Sequence, residues 1–132
     1  MEKFFMDISG ILAEGLGQEQ GELFGKLVER ERESSTVLRK GLAIPHIVVK
    51  GNNVFKIVLA RARAGIIFPD DKLAHIIFIL AGSSDERNLH LRVLAAIAQI
   101  TEAPGFDEKW FQARNTDEIK NIVLLAERRR VV

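Results

Sequence analysis

A chain of 132 residues, 47% apolar and 28% charged, has the size and composition of one ordinary globular domain with a core of its own. Its 19 basic and 18 acidic residues leave a formal net charge of +1, so no global field recruits nucleic acid or an anionic membrane surface. Cysteine is absent, which excludes disulfides, thiolate nucleophiles and zinc–cysteine sites together.

The longest unbroken apolar runs, 76–81 and 122–126, are too short to cross a bilayer, so direct membrane insertion is not expected. No basic segment followed by an apolar stretch opens the chain; a cytoplasmic location without a secretion signal is the expectation. There is no internal repeat, low-complexity tract or linker, and residues 1–132 read as a single domain.

In chain order, Phe4 to Ile8 reads as a short strand, with Ser9 as a possible helix cap behind it. Residues 18–33 follow helical spacing through Leu23, Phe24, Leu27, Val28 and Arg30, and Ser34, Ser35 and Thr36 break the helix. Residues 43–49 form the next strand, interrupted by Pro45, and Gly51, Asn52 and Asn53 make the turn after it. Residues 54–63 alternate as a half-buried strand, and 65–72 read as loop. Residues 73–81 are apolar on both faces apart from His75, the pattern of a central strand covered on two sides.

Ser83 and Glu86 fit a capping box that starts a helix through about Ile100, with Leu89, Val93, Leu94, Ile97 and Ile100 turned inward. Ala103, Pro104 and Gly105 end it. A short helix around Trp110 follows, then a last one over 116–127 with Ile119, Ile122, Val123 and Ala126 as its apolar stripe. These elements predict an α/β layered domain with a sheet covered on both faces.

Three residues stand out chemically. His46 follows Pro45 at the end of an apolar run, on a backbone that the proline restricts on both sides. A neutral imidazole is nucleophilic near pH 7 and can attack phosphorus, although a loop histidine after a strand proline would look the same. His90 falls in the first turn of a helix, where free N–H groups and the dipole favour an anion; the plainer alternative is an exposed histidine near a cap. Arg30 continues the Leu23, Leu27 stripe and could offer a planar fork to phosphate, or could snorkel to a neighbouring glutamate.

Ser35 and Thr36 are hydroxyl donors between that helix and the His46 strand, or simply the turn that ends the helix. His75, on the face of Leu73, Ile77 and Ile79, reads as a hydrogen-bonded core or edge residue. The histidines form no metal-binding pattern, no glycine-rich phosphate loop is present, and no serine sits in a nucleophile elbow, so neither metal nor cofactor is expected. The basic tail over 127–130 reads as a solvated helix end.

Taken together, Arg30-Glu31 with Ser34-Ser35-Thr36, then Gly41-Leu42-Ala43-Ile44-Pro45-His46, then His90-Leu91 with Leu94 one turn on, resemble the fructose/mannitol-type enzyme IIA domain (type 2) of the sugar phosphotransferase system. The similarity spans essentially the whole chain in the right order. It implies a three-layer α/β/α sandwich with a small mixed sheet. It further implies a phosphohistidine-type phosphotransferase in which His46 accepts a phosphoryl group from the phosphocarrier HPr and passes it on; the family uses Nε2, while the sequence leaves the reacting nitrogen of this chain open. By the same carry-over Arg30 and His90 stabilise the phosphoryl oxygens, with Ser35 or Thr36 close by.

Three positions depart from the family pattern. Ile47 stands where a small or polar residue is usual and is expected to crowd a partner. Leu38-Arg39-Lys40 replaces a glycine- and asparagine-containing turn and brings charge towards the site, and 82–88 replaces a proline-containing stretch. These departures argue against a role in sugar uptake, and the segments 81–82, 85–88, 95–100 and 122–125 are similar to enzyme IIA-like domains attached to cation/proton antiporters or amino-acid permeases. A regulatory, transporter-associated role is therefore expected rather than sugar uptake itself. The rival reading is a non-catalytic anion- or nucleotide-binding module of a membrane transporter using the same pocket; a third is a purely structural cap on such a protein.

Overall fold

The computed structural model describes residues 1–124, which fall into two compact units, 1–87 and 88 onward. The first unit opens with helix α1 (Glu2–Leu16) where a strand over 4–8 was expected. Four apolar residues cannot by themselves distinguish the two periods. The stripe continues through Phe5, Ile8 and Leu12, all buried, and this is helical spacing. Ser9 is inside the helix and not its cap, its hydroxyl donating back to the Met6 carbonyl at 2.7 Å. Gly17, at φ 64°, ends the helix in the left-handed region, where its missing Cβ removes the penalty.

Helix α2 (Gln20–Glu33) starts behind Glu19, whose carboxylate accepts from the Gly21 N–H at 3.2 Å. It buries Leu23, Leu27, Val28 and Glu31, and ends at Ser34, whose backbone is extended.

The sheet is mixed and has five strands, β1 (Val37–Arg39), β2 (Gly41–Ala43), β3 (His46–Val49), β4 (Phe55–Phe68) and β5 (Lys72–Ser83). Along one edge of β5 lie β2 and then β3, both parallel to it, from Gly41↔Ala74 to Val49↔Ser83. Along the other lies β4, antiparallel, and β1 pairs antiparallel with β2. The strand expected over 43–49 is thus the end of β2 plus β3. Pro45 has no N–H to give a ladder and stands at the break, its carbonyl accepting from the Leu80 N–H at 2.9 Å.

The loop expected over 65–72 is mostly strand. The pairs Ile66↔Ala74, Ile67↔Leu73 and Phe68↔Lys72 close the hairpin down to a 3-10 turn, Pro69–Asp71.

The register slips between Arg61↔Ile76 and Ile66↔Ala74, so four residues of β4 stand opposite the single residue His75. This bulge changes the face of everything beyond it. Ala74, Ile77, Ile79 and Ala81 share the core face, and the expected placement of His75 beside Ile77 and Ile79 is wrong by that one residue. The core face packs against Phe5, Ile8 and Leu12 of α1 and Leu23, Leu27 and Val28 of α2. At its centre Phe5 meets Phe68 edge-on, ring centroids 5.8 Å apart. Ile76, Phe78 and Leu80, which alternate with the core-face residues, are buried too, so β5 is apolar on both faces as its composition predicts.

At the far end of β5 the expected capping box does not form. Ser83 accepts from the Val54 N–H at 3.0 Å and donates to Asp85 at 2.5 Å, while Asp85 accepts from the Asn53 N–H at 2.9 Å. These side chains bind the 51–53 turn to the end of β5, and Ser84–Glu86 becomes a 3-10 turn. The Ser83 hydroxyl and the Asn53 amide hold the Asp85 carboxyl below the usual carboxylate range.

Helix α3 (Arg87–Glu102) leads into the second unit, followed by α4 (Phe106–Gln112) and α5 (Thr116–Leu124). Within it Ile97, Ile100, Phe106, Trp110 and Ile119 are buried, and the Phe106 and Trp110 rings stack at 5.8 Å. Ala126 and the basic tail lie outside the described residues. Among the described residues no helix is long and apolar enough to cross a membrane.

Candidate functional site

His46 is the first residue of β3, half-buried, and both ring nitrogens are engaged. Nδ1 lies 2.7 Å from the Ile44 carbonyl oxygen, and Nε2 lies 3.1 Å from Nη2 of Arg30. A carbonyl can only accept and a guanidinium can only donate, so the two contacts assign the tautomer: Nδ1 carries the proton and Nε2 presents its lone pair. Arg30 reaches this point from α2. Its other terminal nitrogen, Nη1, donates to Ser34 twice, to the carbonyl at 2.9 Å and to the hydroxyl at 3.1 Å. The guanidinium is therefore spread between the end of its own helix and the histidine, and is not paired with a neighbouring glutamate.

Strand β3 is held from its outer side. The Val48 carbonyl accepts from Nζ of Lys26 at 3.0 Å, and the Lys50 carbonyl accepts from Nε2 of Gln18 at 2.8 Å. Ile44 donates its N–H to the Thr36 carbonyl at 2.9 Å. With φ of Pro45 limited by its ring, the peptide that carries the His46 partner oxygen is fixed at both ends.

The other expected site residues divide. Ser35 is exposed, and its hydroxyl accepts from the Val37 N–H at 3.1 Å. Thr36 is buried, and its hydroxyl donates to Glu31 at 2.5 Å. His90 occupies the first turn of α3, half-buried, in the second unit.

Ile47 is 4% exposed and belongs to the core, so its bulk does not crowd the approach to His46 as anticipated. Arg39 and Lys40 line, with Lys72 and His75, a pocket of about 530 Å3 that does not include His46 or Arg30. His75 itself donates Nδ1–H to the Ala62 carbonyl at 2.9 Å, a satisfied histidine at the bulge. Among the described residues no group of three or more histidine, aspartate or glutamate side chains could hold a metal ion.

Two residues of the motif, Ser34 and Glu31, are given no role at the site by the sequence alone. Ser34 stands four residues after Arg30, one helical turn, which is a usable signal. Glu31 continues Leu23 and Leu27 at intervals of four, a carboxylate on the inward stripe itself.

The fold, a small mixed sheet with helices, is that of the IIA proteins of the phosphotransferase system. The chain matches the family "Phosphoenolpyruvate-dependent sugar phosphotransferase system, EIIA 2" over residues 4–125, and it belongs to that family. It is 26% identical over 99 residues to the fructose-specific EIIABC component of Bacillus subtilis, covering 74% of this chain and 16% of that protein. It is 29% identical over 103 residues to the fructose-specific EIIA component of Haloferax volcanii, covering 74% of this chain and 64% of that one. The chain thus spans less than two thirds of either relative.

Among solved structures it is similar to the nitrogen regulatory protein IIA-Ntr from Neisseria meningitidis, with a TM-score of 0.84 and 27% identity over 92% of this chain and 85% of that one. The IIA mannitol protein of Escherichia coli shares the fold, with a TM-score of 0.74 at 20% identity over 92% and 87% of the two chains.

Proposed function

We propose that the chain is a phosphoryl carrier whose acceptor is Nε2 of His46. The observation that supports this best is the tautomer: with Nδ1–H given to the Ile44 carbonyl, the lone pair is at the nitrogen facing Arg30. In the transfer the Nε2 lone pair forms a bond to phosphorus as the bond from phosphorus to the donor's nitrogen breaks, and the donor imidazole recovers that electron pair. Arg30 gives up its hydrogen bond to Nε2 and turns its fork to the phosphoryl oxygens, where fixed charge stabilises the transition state. His90 enters this proposal through the family motif alone, as a second donor to those oxygens.

The family resemblance supplies the partners: phosphorylated HPr as donor, and a IIB-type domain as acceptor. One structural relative is the E. coli mannitol IIA protein in complex with its phosphorylated IIB. The IIA-Ntr likeness, together with the departures at 38–40 and 82–88, favours a regulatory role. In it the roughly two negative charges of a phosphoryl group change contacts with a membrane transporter such as an antiporter or permease.

Intact mass after incubation with phosphoenolpyruvate, enzyme I and HPr tests the proposal, beside His46→Ala. Gain of one phosphoryl group by the native protein alone supports it. No gain in either overturns it and turns attention to non-covalent anion binding in the same place.

A further inference from the structure

Glu31 is 2% exposed, on the inward stripe of α2, and none of the ion pairs among the described residues includes it. A carboxylate in such a position is costly unless every lone pair it turns inward is used. Both of its oxygens are spent on one residue: Oε2 accepts from the Thr36 N–H at 2.7 Å and Oε1 from the Thr36 hydroxyl at 2.5 Å. Thr36 is buried as well, and its carbonyl accepts from the Ile44 N–H at 2.9 Å. The Ile44 carbonyl in turn accepts from Nδ1–H of His46 at 2.7 Å. A continuous path of hydrogen bonds therefore runs from the buried carboxylate to the imidazole and ends on the one contact that decides which ring nitrogen is bare.

From this geometry we infer that Glu31 is a positioning residue: by gripping the backbone and side chain of Thr36 it sets the Ile44 peptide, and through it the Nδ1–H tautomer of His46. The inference deepens the reading of His46 as acceptor and assigns work to the hydroxyl that sequence reasoning had placed beside the phosphoryl group. Turning the fixed peptide by a fraction of an ångström would lengthen the Ile44–His46 bond and let the ring flip or exchange tautomers, removing the lone pair from the Arg30 side. A misplacement of about 1 Å costs on the order of a hundredfold in a transfer that depends on alignment, and a smaller one correspondingly less.

The test uses Glu31→Gln, Thr36→Val and Thr36→Ser, with two readouts. The first is the ring-nitrogen NMR spectrum of His46 at a pH where the imidazole is neutral, which needs no phosphoryl donor. The second is the rate of phosphoryl uptake from phosphorylated HPr. Glu31→Gln presents an amide N–H₂ to one of two donors, so a shift of His46 away from a pure Nδ1–H signature is expected, with uptake slowed roughly tenfold to a hundredfold. Thr36→Val loses the hydroxyl and should move the same way, while Thr36→Ser, which keeps both donors, restores the native spectrum and rate.

An unchanged His46 spectrum in folded Glu31→Gln overturns the inference. If that variant does not fold, an unchanged spectrum in Thr36→Val does so instead. If the native protein takes up no phosphoryl group at all, the proposed function falls, yet the spectra still decide the role of Glu31.

Discussion

At the scale of single residues, the site is one imidazole held from two directions. Arg30 makes three hydrogen bonds with one side chain, two to Ser34 and one to Nε2 of His46, which hold its planar fork against the imidazole. Arg30→Ala should lower the rate of phosphoryl uptake by roughly 10²- to 10³-fold, the usual cost of deleting one preorganised donor. Arg30→Lys keeps the charge but cannot serve Ser34 and the phosphoryl group together, so it should recover only part of that loss. Ser34→Ala removes the exposed hydroxyl and leaves the carbonyl contact, so its effect should be no more than a few-fold. Stopped-flow or quench measurements with phosphorylated HPr separate the three; equal losses in Ser34→Ala and Arg30→Ala would contradict the assignment.

Single elements carry their own tests, and the β4–β5 hairpin is the most informative. Its turn places Asp70 and Asp71 in the left-handed region, at φ 64° and 56°, which aspartate enters more readily than most side chains because its short carboxylate can bond locally. The double change Asp70→Gly with Asp71→Gly relieves little strain and enlarges the entropy of the unfolded chain, so it should not raise the urea midpoint; a rise would show that the turn is strained. Five residues away the opposite holds. Gly65 has φ +86°, and a Cβ there would lie 2.6 Å from Cγ of Leu73. Gly65→Ala should therefore cost about 1–3 kcal/mol by the same measurement.

At the other end of β5, Asp85 holds the 51–53 turn through its carboxylate. Its carboxyl titrates below the ordinary aspartate range in the folded protein, so the folded state binds its proton less readily than the unfolded chain does. The stability it contributes is therefore complete above the ordinary range and is lost as pH falls through it to the depressed value. Asp85→Asn should be less stable than the native protein at neutral pH, and the gap should close on acidification; a gap independent of pH would exclude the carboxylate as its source.

For the whole molecule, charge is the property that phosphorylation would change most. A formal net charge of +1 is small, so roughly two added negative charges reverse its sign to about −1. Native electrophoresis near neutral pH should show the phosphorylated protein migrating towards the anode and the His46→Ala protein, treated alike, unmoved. A reversal of net sign would change the sign of the chain's long-range attraction to any charged surface. The chain also spans only part of its multidomain relatives, 16% of the B. subtilis EIIABC component, so the partners that such a switch addresses belong to its proposed function.

Much of this was legible in the residues themselves. The unbroken apolar run of β5, the helical spacing of α2, the glycine-bounded turns and the Pro45-His46 pair follow from local periodicity and backbone restriction, which any stretch of chain carries with it. The order of the Arg30, His46 and His90 motifs likewise identified the family before any coordinates.

Tertiary structure alone decided three matters. Whether residues 4–8 turn as helix or extend as strand depended on the stripe reaching Leu12 and finding α2 and the sheet to cover it. The face of His75 depended on the register shift between Arg61↔Ile76 and Ile66↔Ala74, because the side-chain period of a strand is two and a single slip inverts it. The tautomer of His46 depended on a guanidinium sixteen residues away and a carbonyl two residues away. Hydrogen-bond partners of that kind are chosen by the folded backbone, which brings distant groups within about 3 Å.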